Sequence, residues 1–263
     1  MSQNTQLVCV TSFSHELFVA SGSSLLHSFL DVGQEGIFYV GYEGPWNNLD
    51  SKKIFGFDLD CDAFLQDWLV ANRDVIPDYL GGLAEECSCP GREERHAKHA
   101  YRCHWQWMNR NASRWFRKVA SLLLVAATSA RYVLWLDSDA YFRKAIPIDV
   151  FISWLGGKGM FYCRGHRPGV EAGVMGFDLG RGGRIFLDTM HERYVSRAYL
   201  SDERWDDGYQ IGRVLDLGFK DARDLVHPTQ WKHVTNDVIP KTVLNEYLAH
   251  RKGLHGRMLN LMK

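Results

Sequence analysis

Unbroken apolar runs alternate along this chain with stretches of helical spacing, and that alternation predicts its elements. Five bulky apolar residues, Tyr132 to Leu136, run without a polar break. Such a run suits a strand buried on both faces. Leu7 to Thr11 is a run of the same kind, and Ser12 to Ser14 reads as the turn after it. Gly36 to Val40, Lys53 to Phe57 and Gly159 to Cys163 read as further strands. Helical spacing marks Glu16 to Leu30, weakened in its middle by Ser21-Gly22-Ser23-Ser24. It marks Asp62 to Leu80, and Ala112 to Ala130 with the apolar face Trp115, Phe116, Val119, Leu122, Leu123 and Ala126. Shorter helices are expected around Asp149 to Leu155, Arg184 to Arg197 and Tyr209 to Leu215. Glu171 to Asp178 reads as a strand rich in small residues, where another group can approach the backbone closely. Val226 to Lys232 reads as a short strand and loop leading to His233. Strand, helix, strand at this pace predicts an α/β fold on a parallel sheet that begins at the N-terminus.

Composition narrows the picture. A length of 263 residues fits one large domain, and an apolar fraction of 46% is globular. Lys+Arg and Asp+Glu balance at 31 each, so no global field draws the chain to nucleic acid or to a membrane. No apolar run is long enough to span a bilayer. The first residues, Met1 to Gln6, lack the basic start and apolar core of a secretory signal. A soluble, cytoplasmic protein is the expectation. Six cysteines in this length fit reduced thiols rather than a disulfide framework. Cys87, Cys89 and Cys103 crowd with His96, His99 and His104, which suggests zinc. Their spacing matches no common zinc pattern, and a solvated loop is the better account.

The chemistry gathers where strands end. The Tyr132 to Leu136 run stops in two carboxylates, Asp137 and Asp139. In an open α/β sheet, ligands bind beyond the carboxyl ends of the strands. Two acids there are costly to desolvate unless a cation neutralises them. Hard oxygen ligands on a short loop suit Mn²⁺ or Mg²⁺, whose shells are often completed by phosphates. The plain alternative is a turn, since Asp and Ser bond local backbone. Arg114 and Lys118, four apart, share one face of the helix that feeds this strand. Asp206 and Asp207 precede the helix at Tyr209, where one acid is well explained as a cap and the other is free to act as a base. The late stretch from Tyr247 to Arg257 is basic and carries two histidines.

Taken together these residues resemble the GT-A glycosyltransferases, the metal-dependent class that uses nucleotide-sugar donors. The resemblance rests on Leu134-Trp-Leu-Asp-Ser-Asp139, an Asp-x-Asp motif, and on Glu171-Ala-Gly-Val-Met-Gly-Phe177. Trp205-Asp-Asp-Gly208 and His250-Arg-Lys-Gly253 follow in the order that the family shows, and the match covers roughly Leu7 to Arg257. It implies a Rossmann-like, mixed but mostly parallel sheet flanked by helices, in a single domain. Residues up to about 142 would serve the nucleotide, and residues from about 143 the acceptor and catalysis. Asp137, Asp139 and His250 would hold Mn²⁺, or Mg²⁺, on the donor diphosphate, with His255 and His233 as reserves for the histidine. Thr11 to Phe13 would meet the nucleoside. Arg114 and Lys118 would contact the donor. Glu171, Ala172 and Gly173 would line the sugar and acceptor pocket. Lys252, Gly253 and Arg257 would meet phosphate. The chain departs from the family after His250, where Gly256-Arg257-Met258 stands in place of a common Lys-Pro-Trp continuation.

The implied reaction moves a sugar from a nucleoside-diphosphate sugar, a UDP-sugar by analogy, to a hydroxyl of a glycan or other acceptor. Asp207 or Asp206 would be the catalytic carboxylate, with a lean to inversion. Two rival functions remain. One is a phosphohydrolase of the HAD type, whose strand also ends in Asp-x-Asp, although there the motif sits near the domain's start. The other is a glycan- or nucleotide-binding module without turnover.

Overall fold

The computed structural model describes residues 6–44, 51–73, 112–164, 170–227 and 238–250. Strand β1, Leu7–Ser14, runs three residues past the expected Thr11. Ser12 to Ser14 do not turn, because they pair in register with Gly41, Tyr42 and Glu43 of β2, Ile37–Glu43. Between these strands lie α1, His15–Leu17, a π-helical turn at Phe18–Gly22, and α2, Ser23–Asp31. The π turn falls where Ser-Gly-Ser-Ser weakens the helix. Gly22 packs so closely on the Phe13 ring that a Cβ there would stand 2.9 Å from it. β3, Ile54–Asp58, and α3, Ala63–Ala71, follow.

Helix α4, Ala112–Ala126, ends four residues before the expected Ala130. Thr128 stops it: its hydroxyl donates to the Val125 carbonyl and accepts from the Ala130 amide. Such local bonds compete with the helical ladder. The remaining elements are β4, Tyr132–Leu136; β5, Ala140–Phe142; α5, Ile148–Leu155; β6, Met160–Arg164; and β7, Val170–Asp178. Then come α6, Gly182–Val195; α7, Asp207–Asp216; β8, Ala222–Asp224; and β9, Leu248–His250. The short strand and loop expected from Val226 to Lys232 lie, beyond His227, outside the described residues, and the strand before them, β8, was not expected. Ala-Arg-Asp carries no apolar signal because β8 is an edge strand, paired with β6 on one side.

The main sheet has the order β3-β2-β1-β4-β7-β6-β8. β7 alone runs against the others, pairing antiparallel with both β4 and β6. Each strand divides its side chains between two cores. Cys9, Phe13, Leu134 and Leu136 face the core shared with α2 and α5. Val8, Val10, Val133 and Trp135 face the core shared with α3, α4 and α6. Tyr132 to Leu136 are all buried, as the unbroken apolar run requires. A second sheet joins β5 to β9 antiparallel, setting Ala140 opposite His250. No helix among the described residues is long and apolar enough to cross a membrane.

Candidate active site

The site grows from the end of β4. The Asp137 amide donates to the Gly173 carbonyl at 2.8 Å, and the Ala140 amide to the Asp137 carbonyl at 3.0 Å. Asp-Ser-Asp is therefore a turn, as its composition allows, and it is a turn that presents acids beyond the sheet. Ser138 is held from below by the Ser21 hydroxyl at 3.2 Å. Pairing of β9 with β5 carries His250 to the same place, where its Nε2 lies 2.5 Å from Asp139 Oδ1. One donor atom each from Asp137, Asp139 and His250 lies within 4.8 Å of the others. Gly173 makes room for the imidazole, since a Cβ there would stand 2.7 Å from His250 Cε1. Glu171 folds over the same glycine and accepts from its amide at 3.2 Å. Two carboxylates and one imidazole suit a hard to intermediate divalent ion, so the residues fit the Mn²⁺ or Mg²⁺ expected of them.

Beside this trio lies a second charged cluster, built around Lys118. Its ammonium sits 2.9 Å from Asp137 Oδ1, donates to the Ala172 carbonyl at 2.8 Å, and pairs with Asp207 Oδ2. Those partners use all three N–H bonds of a lysine. The Trp135 ring lies 5.0 Å away, and its Nε1–H donates to the same Asp137 oxygen at 2.9 Å. Burial alone would lower the Lys118 pKa, but the two carboxylates outweigh it and hold the group firmly charged. Burial also pushes the Asp137 carboxyl up. The Lys118 and His250 charges, with hydrogen bonds from Lys118 and Trp135, overcome that push and leave it below the usual range. Asp207 goes the other way. Its side chain is only 10% exposed, and burial together with the nearby Asp137 charge raises it despite Lys118.

The acid pair at the start of α7 divides its work. Asp206 caps the helix, accepting from the Tyr209 amide at 3.2 Å, and takes two bonds from Arg204 at 2.7 and 2.8 Å. Asp207 accepts from the Gly208 amide at 2.8 Å and otherwise faces Lys118. Gly208 lets α7 approach β7, for a Cβ there would meet the Val170 carbonyl at 2.4 Å.

The other expected residues are placed as follows. Thr11 is fully buried, and Phe13 packs into the core against Phe18. Ala172 gives its carbonyl to Lys118. Arg114 is exposed on the first turn of α4, near enough to Glu43 to act on its charge. Lys118, expected at the donor, has its three bonds engaged within the protein. Lys252, Gly253, Arg257, His255 and His233 lie outside the described residues, as do the six cysteines and histidines from Cys87 to His104. Two participants escaped sequence reasoning. Trp135 is hidden in an apolar run, though two residues before Asp137 it had to share that residue's side of the strand. Arg117, on α4, lies with its Nε 3.0 Å from Glu43 Oε1 at the end of β2.

No family model matches the sequence, and no curated protein matches it. The fold has solved counterparts. Mouse xyloside xylosyltransferase 1 superposes with a TM-score of 0.52 at 13% identity, over 94% of this chain and 98% of that one. An active-site mutant of LgtC superposes with a TM-score of 0.50 at 15% identity, over 94% and 87%. LgtC is described as a galactosyltransferase in a second structure, bound to donor and acceptor sugar analogues. A helix-flanked, mostly parallel seven-stranded sheet is the GT-A fold, and the chain has that fold, with the Asp-Asp-His group of this chain at the carboxyl end of β4.

Proposed function

We propose that the protein is a metal-dependent glycosyltransferase. It moves a sugar from a nucleoside-diphosphate sugar, with uridine the favoured nucleoside, to a hydroxyl of a glycan or other acceptor. The observation that carries this reading is the convergence of Asp137, Asp139 and His250 within 4.8 Å, beyond a buried strand of this fold. Mn²⁺ or Mg²⁺ held by them would neutralise the departing diphosphate. His250 comes from β9 of the short sheet, while Asp137 directly follows β4 of the main sheet and Asp139 directly precedes β5, so the site lies where the two sheets meet. Residues up to about 142 serve the nucleotide side, and those beyond serve the acceptor side. Arg114, on the exposed start of α4, and Lys252, Gly253 and Arg257 are the candidates for phosphate contact. Thr11 and Phe13 remain the nucleoside candidates, chiefly through their backbone, since both side chains are buried. Glu171, Ala172 and Gly173 line the sugar side.

Asp207 is the acceptor-side carboxylate in this proposal. Burial raises its basicity, which suits proton removal from an attacking hydroxyl. The reaction then inverts the anomeric centre, and NMR of the product shows it; retention would make Asp207 a positioning group. Asp206 is tied up as a cap. Asp207→Asn should lower kcat by about 10²–10⁴-fold. Asp206→Asn keeps a capping oxygen and should change kcat far less. Equal losses in the two variants would end the division of roles.

The test of the whole reading is thermal unfolding with nucleoside diphosphates and their sugars, with and without Mn²⁺. Ligand at 100 times its Kd stabilises a folded chain by about 2.7 kcal/mol. A shift is expected with the matched nucleotide, and it should grow with Mn²⁺. A nucleotide effect indifferent to Mn²⁺, without donor turnover, would favour a binding module instead.

A further inference from the structure

The loop that leads into α7 carries a buried polar network that the proposed chemistry does not use. At its centre is Gln210, on α7 and fully buried. Its amide nitrogen donates to Asp202 Oδ2 at 3.1 Å and to the Arg204 carbonyl at 2.7 Å. Its amide oxygen accepts from Arg193 Nε, on α6, at 3.1 Å. The reverse orientation would set that oxygen against a carboxylate and a carbonyl, so these partners fix which way the amide points. Asp202, with 7% of its side chain exposed, also pairs with Arg193 Nη2 and lies 3.2 Å from Arg213 Nε of α7.

The network holds backbone as well as charge, for side chains bond three carbonyls of the loop. Trp205 Nε1–H donates to the Asp202 carbonyl at 3.2 Å, Gln210 to that of Arg204, and the Tyr194 hydroxyl to that of Trp205 at 3.5 Å. Arg204 in turn grips Asp206, the cap of α7. Asp207 comes next. Its side chain meets the Gly208 amide and Lys118, neither of which belongs to the loop. Where its carboxylate stands is therefore set by the backbone behind it. A satisfied buried network is rigid, and removing one member leaves its partners buried and unpaired.

We propose that Gln210 and Asp202 are positioning residues for sugar transfer. They fix the loop before α7 and so hold the Asp207 carboxylate where the acceptor hydroxyl must meet it. This rests on the role given to Asp207 in the glycosyltransferase reading above. Both residues act through Asp207 rather than on the sugar. A misplacement of about 1 Å can cost about 10²-fold in rate. The metal trio is carried by β9 and by the turn between β4 and β5, and so is built apart from this loop. Loosening the loop should therefore slow transfer and spare donor binding.

The test is a double-mutant cycle on kcat. Gln210→Met keeps a neutral side chain of similar size and removes all three of its side-chain hydrogen bonds. It should lower kcat at least about 10-fold and leave the affinity for UDP with Mn²⁺ within about 2-fold. In the Asp207→Asn background the same change should cost less than about 2-fold, because the group it aims is already gone. A merely structural loss would repeat in both backgrounds. Amide hydrogen exchange should quicken over residues 202–209 in Gln210→Met and stay as it was in β4. Gln210→Glu keeps an acceptor for Arg193 but donates to neither other partner, and it carries the same cycle should Gln210→Met not fold. Equal losses in the two backgrounds, or full kcat in a folded Gln210 variant, overturns the positioning role while the glycosyltransferase reading stands. Full kcat in Asp207→Asn overturns the role of Asp207 and this one with it. Failure of the unaltered protein to transfer from any nucleoside-diphosphate sugar overturns the whole reading.

Discussion

Asp139→Ala should give a folded protein without useful turnover. Its carboxylate reaches beyond the sheet to His250, and its side chain is 21% exposed, so little of the core depends on it. Removing it takes away one of the three ligands proposed for the metal. Charge stabilisation by such a site is worth several kcal/mol at the transition state, and each 1.36 kcal/mol is tenfold in rate. A fall in kcat/KM of at least about 10²-fold is therefore expected, with the Mn²⁺-dependent gain in nucleotide binding lost as well. Transfer assays, Mn²⁺ titration and a thermal melt, done together, separate these effects. Near-normal transfer by a folded Asp139→Ala protein would remove the metal site from the mechanism. Hydrolysis of p-nitrophenyl phosphate by the unaltered protein would point instead to the phosphohydrolase class, whose first Asp is a nucleophile.

What the sequence revealed depended on how strongly burial writes itself into residue type. Tyr132 to Leu136 is buried on both faces, so every position had to be apolar, and the strand was plain. β2 and β3 were found within a few residues as well, although both are only partly buried and Phe55 of β3 is exposed. β9 was not found, because three residues are too few to show a period and their basic surroundings read as a tail. Yet β9 is what brings His250 to Asp139. The resemblance selected that histidine where spacing could not. Ser12 to Ser14 read as a turn by composition, but pairing with β2 overrode it. The Asp206–Asp207 pair was seen, and its division of labour was not. Which acid caps the helix depends on Arg204, which holds Asp206, and on Lys118, which holds Asp207 from a distant helix, and no local pattern encodes that contact.

Lys118→Met tests whether the two halves of the site are one electrostatic unit. The ammonium neutralises Asp137 and Asp207 at once. Removing one partner of a buried ion pair costs about 3–5 kcal/mol, because the other charge stays behind. In a chain of this size that lowers the melting temperature by roughly 6–20 °C. The two carboxylates should not share the cost equally. Asp137 has 36% of its side chain exposed and can take up water, while Asp207, at 10%, cannot. Adding Asp207→Asn to Lys118→Met should therefore recover most of the lost stability, and adding Asp137→Asn should recover little. Such a pattern is a coupling that single substitutions cannot show. Activity should not return with stability in the Asp207→Asn double variant, since the carboxylate proposed to act on the acceptor is then gone. A loss below about 1 kcal/mol in Lys118→Met would mean that the carboxylates are already hydrated, and the shared ammonium would then organise nothing.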